Sequence, residues 1–220
     1  MVTPLGGDCY LCFDNRSLTM TSYVINLDKR VERWYYVREH LAEVGIKPIR
    51  FSAIEAKPGW VGCRESHLRI LSMTPPNDIV AIYEDDVKFL EPWESVLTSI
   101  SQLPPLWDAL YLGASPKEPQ KRVDNNLFRL KNSHVAHAII WNRREGGAVE
   151  YILSHQSDIR KIDDFYAHEV QPKFNCYVTY PICATQRQFQ SDTCIRSDVS
   201  TIDKNYTKYI TPHAQSNTPL

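Results

Sequence analysis

Three adjacent carboxylates follow the most apolar segment of the chain. Glu84-Asp85-Asp86 comes directly after residues 79–83, whose β-branched and apolar side chains are typical of a buried strand. Neighbouring carboxylates repel one another and lose solvation at the edge of a core, and a divalent cation offsets both costs. Mg²⁺ and Mn²⁺ prefer such oxygen ligands, together with phosphate oxygens of a substrate. The triplet therefore predicts a metal site, with a solvated acidic turn as the alternative.

Alternation along a strand separates these carboxylates. If the strand continues through the triplet, Glu84 and Asp86 lie on one side and Asp85 on the other.

Basic residues cluster where a helix is predicted to begin. Lys29, Arg30 and Arg33 follow the first apolar run, although the helix dipole disfavours cations at that end. Because helix N-termini bind phosphate groups, an anionic ligand would explain these residues. The alternative is a basic surface that serves solubility alone.

Two further clusters offer groups for proton transfer or nucleophilic attack. Cys63 and His67 are four residues apart in a predicted helix and could form a catalytic pair, but no third residue orients them. A structural turn with a buried histidine is the simpler interpretation. Asp163 and Asp164, followed by His168, could supply a general base, and the alternative is a helix N-cap.

The elements that must position these groups alternate along the first half of the chain. We predict strands at residues 22–27, 49–54, 79–83 and 109–112, with intervening helices at 28–45, 62–71 and 92–103. We predict for the second half antiparallel strands at 127–130 and 135–141, helices at 143–155 and 162–170, and a strand at 177–180. The order indicates an α/β fold with mainly parallel strands, whose ligands bind at the carboxyl ends of the strands.

One face of the first helix is expected to be apolar. Val31, Trp34, Tyr35, Leu41 and Val44 recur at helical spacing, with Asp28 as the cap and Gly45 as the stop.

Composition excludes several classes of protein. The 220 residues carry 25 basic and 26 acidic side chains, a net charge of −1, which argues against binding nucleic acid or a membrane through a basic surface. No apolar run approaches the ~18 residues of a membrane span, and no signal peptide is evident, so we expect a cytoplasmic protein. The chain has only eight glycines, and neither GxGxxG nor GxxxxGK[ST] occurs.

The cysteines do not predict a zinc ribbon. Cys9 and Cys12 form one C-x-x-C in an irregular N-terminal segment, without the second half that such a site needs. Free thiols in a reducing compartment are the expectation for all six cysteines.

Several segments, taken in order, resemble glycosyltransferase family 25, which includes lipooligosaccharide and collagen galactosyltransferases. The resemblance covers roughly residues 22–195. The matching residues are Ile25-Asn26-Leu27-Asp28-Lys29-Arg30-x-x-Arg33, Gly62-Cys63-x-x-Ser66-His67, Tyr83-Glu84-Asp85-Asp86-Val87, Trp107-Asp108-x-Leu110-x-Leu112-Gly113, Ala136-His137-Ala138-Ile139-Ile140, Gly146-Gly147-Ala148, Asp163-Asp164-Phe165, and Pro181, Gln186, Gln190 and Ser191.

The resemblance implies a GT-A fold and a metal-dependent, inverting transfer of a sugar to a hydroxyl of a glycan or glycoprotein. The donor would be a nucleotide sugar, most simply UDP-linked, with Mn²⁺ or Mg²⁺ as cofactor. Asp86 and Glu84 would bind the metal, and Asp164, then Asp163, then Asp192 would be the candidates for the base. The donor would be held by Asn26, Leu27, Asp28, Arg30, Arg33, Ser66, Glu84 and Asp85.

The same resemblance divides the chain. A single GT-A domain would span residues 20–202, between an N-terminal extension (1–19) and a C-terminal tail (203–220), and would combine a nucleotide-binding half (about 20–115) with an acceptor half (about 116–202). Two alternatives stay open. One is a nucleotidyltransferase on a similar scaffold, although such enzymes usually have a glycine-rich loop after the first strand. The other is a nucleotide-sugar-binding module without activity, which the intact acidic triplet argues against.

Overall fold

The computed structural model of the chain describes residues 8–13, 16–187 and 199–210. The strands within these ranges are β1 (Asp8–Phe13), β2 (Arg16–Asn26), β3 (Ile49–Ser52), β4 (Ile79–Glu84), β5 (Val87–Phe89), β6 (Ala109–Tyr111), β7 (Lys121–Asp124), β8 (Leu127–Arg129), β9 (Ala138–Asn142), β10 (Cys176–Thr179) and β11 (Ala184–Gln186). The helices are α1 (Val31–Glu43), α2 (Gly59–Met73), α3 (Trp93–Ser101), α4 (Ala148–Ser154), α5 (Ile162–Phe165) and α6 (Val199–Tyr209), and a π-helical turn (Tyr166–Val170) follows α5.

Nine of the strands form one mixed sheet in the order β1-β2-β4-β9-β6-β10-β8-β7, and β3 pairs with β2. The pairs β2–β3, β2–β4 and β6–β10 are parallel, whereas β9 runs antiparallel to both of its neighbours, β4 and β6. Strands β2, β3, β4, β6, β7 and β10 therefore share one direction, opposite to that of β1, β8 and β9. The α/β class and the mostly parallel strand direction are confirmed.

One predicted pairing is wrong. The strands expected at 127–130 and 135–141 do not pair with each other, because β9 lies between β4 and β6 while β8 pairs with β7 and β10. Strands β5 and β11 form a separate antiparallel pair beside the large sheet.

Alternation in the central strands directs side chains into two hydrophobic layers. Val80 and Ile82 pack in one layer, together with residues of α2, α4, α5 and α6. Ile79, Ala81 and Tyr83 pack in the other, together with residues of α1 and α3. The same alternation decides which layer is met by Glu84, the last residue of β4, and by Asp85, which follows it.

Helix α1 is rotated relative to its predicted face. Its buried residues are Arg33, Val37 and Leu41, whereas Val31 and Tyr35 are about half exposed, at 49% and 51%. The rotation turns Arg33 towards the sheet, where it meets Asp85. Asp28 does not cap the helix either, since the N-cap is Arg30.

The two ends of the chain contain structure that the sequence analysis did not predict. The segment containing Cys9 and Cys12 is a strand, β1, paired antiparallel with the start of β2. The segment expected to be a tail begins inside helix α6, where Tyr206 and Ile210 are buried in the first layer. The hydroxyl of Tyr206 donates to the carbonyl of Thr179 at 2.7 Å. Two apolar contacts one turn apart in a polar segment are too few to show a periodicity.

Across the part of the chain that the structure describes, the helices are too short or too polar to cross a membrane.

Docking of α6 predicts a stability effect. Replacing Tyr206 by alanine should lower the free energy of unfolding by about 3 kcal/mol, because it removes a buried ring and its hydrogen bond. Lys204→Ala, at an exposed position of the same helix, should change it by less than about 0.5 kcal/mol. Urea unfolding monitored by circular dichroism measures both, and equal effects of the two variants would contradict the packing of α6.

Candidate functional site

The carboxyl ends of β2 and β4 lie side by side and bring Asn26 next to Asp85. The parallel register aligns Ile25 with Glu84. Nδ2 of Asn26 donates to Oδ2 of Asp85 at 2.8 Å, and Nη1 of Arg33 lies 3.2 Å from Oδ1 of the same carboxylate. Burial raises the pKa of Asp85, while the donors Asn26 and Arg33 counteract part of that rise. Asp85 is thus a structural anchor between β4, β2 and α1.

Arg50 of β3 extends this network, and the sequence analysis missed it. Its Nε donates to Oδ1 of Asn26 at 2.9 Å, which orients the Asn26 amide so that its NH₂ group faces Asp85. Arg50 also pairs with Asp28 at 2.9 Å, and Ser52 donates to Asp28 at 2.7 Å. A single arginine in a four-residue strand carries no spacing signal by which to find it.

The turn after β2 contains the other predicted donor-binding residues. The backbone amide of Arg30 donates to the carbonyl of Leu27 at 2.8 Å, and the carbonyl of Arg30 accepts from the Asn26 side chain at 3.0 Å. Lys29 pairs with Glu55 at the surface. The side chains of Asn26, Arg33 and Asp85 are therefore in direct contact, while Asp28 joins them through Arg50.

Glu84 faces the opposite layer, where helix α2 lies. Its Oε1 is 3.7 Å from Sγ of Cys63 and 3.7 Å from Nε2 of His67. Burial raises the pKa of Glu84. The contacts with His67, His137 and Cys63 lower it by more than burial raises it, so the pKa lies below the usual value for a glutamate.

Asp86 is held at the edge of the small sheet. Nε2 of Gln186 donates to Oδ2 of Asp86 at 3.1 Å, and the amide of Arg187 donates to its carbonyl at 2.7 Å. Oδ1 of Asp86 is buried and has no hydrogen-bond partner among the described residues. Burial, followed by the charges of Glu84 and Asp85, raises the pKa of Asp86 well above its usual value. A buried oxygen without a donor, beside two other carboxylates, fits a bound cation.

Gly113 permits the approach of β11 to this edge. A Cβ atom at Gly113 would lie 2.1 Å from the carbonyl oxygen of Ala184 and 2.6 Å from Nε2 of His137. The carbonyl of Leu112 accepts from the amides of Cys183 and Ala184. The Leu-Gly pair after β6 therefore places the strand that carries Gln186.

The two carboxylates of α5 have different surroundings. Oδ1 of Asp164 lies 2.9 Å from Nδ1 of His134, and the Asp164 side chain is 40% exposed. Oδ1 of Asp163 accepts from the amide of Asp164 at 3.0 Å. Burial, then the charges of Asp164 and Glu84, raise the pKa of Asp163. Asp163 thus experiences the charge of Glu84, whereas Asp164 pairs with a histidine.

The hydrogen bonds of Ser66 among the described residues go to backbone groups before and within α2. Its hydroxyl is buried, accepts from the amide of Ile54 at 2.9 Å and donates to the carbonyl of Gly62 at 2.7 Å. Its hydrogen bonds fix the loop before α2, and a role of Ser66 in donor binding stays a prediction. Asp192, Gln190 and Ser191 lie outside the described residues.

Comparison with known proteins adds no evidence about the site. No protein-family model and no curated protein matches the chain. One solved structure to which it is similar is HddC from Yersinia pseudotuberculosis, at 11% identity and a TM-score of 0.32, over 86% of this chain and 76% of that one. A likeness at this distance carries no argument about the site.

The surroundings of Asp86 predict a pH-dependent gain in stability for Asp86→Asn. A raised pKa in the folded state means that the Asp86 carboxyl destabilises the metal-free protein increasingly as the pH rises above the pKa of the unfolded chain, and by the full amount above the folded-state pKa. The cost vanishes below the pKa of the unfolded chain, about 3.9. In EDTA, Asp86→Asn should therefore raise the Tm by roughly 2–4 °C at pH 8, and by progressively less as the pH falls towards about 4.

The matched control is Glu118→Gln, which replaces an exposed carboxylate by an amide and should leave the Tm nearly unchanged at both pH values. A lower Tm for Asp86→Asn at pH 8 would contradict the absence of a favourable partner for Oδ1.

Proposed function

We propose that this chain is a metal-dependent, inverting glycosyltransferase of the GT-A type. It would transfer a sugar, most simply a hexose from a UDP-sugar, to a hydroxyl of a glycan or glycoprotein acceptor. The observation that carries the proposal is that the carboxylates of the triplet differ in their hydrogen-bond partners. Asp85 accepts a hydrogen bond from Asn26 and pairs with Arg33, whereas Oδ1 of Asp86 has no donor among the described residues. The resemblance to family 25 supports the same assignment.

Asp86 and Glu84 would hold Mn²⁺ or Mg²⁺ in this proposal. The cation would supply positive charge to the diphosphate leaving group as the glycosidic bond breaks. Gln186 donates to the second oxygen of Asp86 and so leaves Oδ1 as the ligand atom.

The turn after β2 and the start of α1 would bind the nucleotide. Asp85 orients Arg33 at the edge of the sheet, and Arg50 orients Asn26. This network fixes the backbone of residues 26–30, so that the polar groups of the turn and Arg30 are positioned before the donor binds.

The acceptor hydroxyl must lose a proton as its oxygen attacks the anomeric carbon. Asp163 is the better base of the two predicted in α5, because its raised pKa brings it nearer to a working pH. Asp164 already accepts a hydrogen bond from His134 and would orient that ring.

Binding of UDP should depend on the metal. In calorimetric titrations, Mn²⁺ should tighten UDP binding by at least about tenfold, equivalent to ~1.4 kcal/mol, and Asp86→Ala should abolish the difference. Glu118→Ala, at an exposed site, should behave as the wild type. Equal affinities with Mn²⁺ and with EDTA, or an unaffected Asp86→Ala protein, would refute the metal assignment.

Substitution of the two aspartates of α5 should lower kcat to different extents. Asp163→Asn should lower kcat for release of UDP from a UDP-sugar by roughly 10²–10⁴-fold, with the affinity for UDP retained. Asp164→Asn should cost less. The donor is first chosen by thermal shift with UDP- and GDP-sugars, with and without Mn²⁺. A larger loss for Asp164→Asn would return the role of base to Asp164.

A further inference from the structure

Cys63, His67 and Glu84 bring three different metal-binding groups together. Their ligand atoms all lie within 4.8 Å of one another, and both contacts to Oε1 of Glu84 measure 3.7 Å. Ligand atoms around a tetrahedral zinc ion are about 3.5 Å apart, given metal–ligand distances of about 2.0–2.3 Å. Only small side-chain adjustments separate this cluster from such a site.

The polar contact of His67 is with Glu84, whose Oε1 lies 3.7 Å from Nε2. The His67 side chain is fully buried, and neither ring nitrogen has a hydrogen-bond partner among the described residues. The ring of Tyr166 meets it edge-on at 6.2 Å. Buried polar nitrogens are nearly always hydrogen-bonded or bound to a metal, so the environment of His67 points to an absent ligand.

Helix α2 holds its two ligands in place. Residues four apart lie on one face of a helix, one above the other, which puts Cys63 and His67 on the side that faces Glu84. A Cβ atom at Gly62 would lie 2.0 Å from the carbonyl oxygen of Ile54, so the helix packs directly against the preceding loop. Ser66 also binds that loop through the amide of Ile54. The ligands therefore need little ordering to bind an ion.

We propose that Sγ of Cys63, a ring nitrogen of His67 and a carboxylate oxygen of Glu84 form a zinc-binding site with one position left for water. A thiolate and an imidazole select Zn²⁺, whereas all-oxygen ligands suit Mn²⁺ and Mg²⁺. The site is thus distinct in chemistry from the one centred on Asp86, although Glu84 is common to both. On binding, the thiol transfers its proton to buffer as the sulfur–zinc bond forms, with no change of oxidation state.

Cobalt(II) tests the proposal, because a thiolate bound to tetrahedral cobalt gives intense absorption bands that carboxylate sites lack. The parent protein is Cys9→Ser/Cys12→Ser, which removes the C-x-x-C. One equivalent of Co²⁺ should produce these bands, and one equivalent of Zn²⁺ should bleach them. Cys63→Ser should abolish the thiolate band. His67→Asn should weaken the binding of Co²⁺ by at least about 100-fold, because the loss of a ligand costs more affinity than the loss of an outer-shell partner usually does.

Two controls keep the result specific. Cys183→Ser alters a free thiol elsewhere in the fold and should retain the bands. Asp86→Ala should also retain them while losing Mn²⁺-dependent binding of UDP, so failure of this site and failure of the proposed function give different results. If Cys63→Ser does not fold, a second measurement on the parent protein replaces this variant. Zn²⁺ should then protect Cys63 from an alkylating reagent, as mapped by mass spectrometry. Absence of the bands in the parent, or their loss in Asp86→Ala, would overturn the proposal.

Discussion

The alternation of side chains along β4 is the constraint on which the rest of the site depends. Residues of this strand face two separate hydrophobic layers, so two consecutive carboxylates at its end cannot share one environment. Glu84 meets helix α2, and Asp85 meets helix α1. Electrostatic repulsion is thereby reduced, and each charge has counterparts in a different layer. Of the three carboxylates, only Asp86, beyond the end of the strand, has a buried oxygen that the described residues leave without a donor.

Much of this arrangement could be predicted from the sequence because the central strands are continuous apolar runs. The position of the acidic triplet at a strand end, and the opposite sides of Glu84 and Asp85, follow from a period of two. The rotation of α1 could not be predicted, since the burial of Arg33 depends on a carboxylate 52 residues away. Arg50 is similar, because its partners Asn26 and Asp28 lie at the end of β2 and in the turn after it.

Cys63 and His67 show what helical spacing alone leaves open, although the expected burial of His67 is confirmed. Their spacing suggested a nucleophile and its base, or a buried structural histidine. The structure adds Glu84, which lies 21 residues from Cys63 in sequence and reaches the pair from the end of β4. Helical spacing alone cannot indicate a third ligand from another element, and the buried ring of His67 could be recognised as unsatisfied only with its surroundings in place.

Helix α6 links the end of the described chain to the site through packing alone. It contacts β11 and binds the end of β10 through Tyr206, while β11 carries Gln186, the residue that holds Asp86. Local unfolding of α6 would remove support from β11 before the central sheet is affected. A truncation that ends before residue 199 would therefore loosen the carboxylate cluster while the central sheet stays intact, although none of the deleted residues touches that cluster in the described structure.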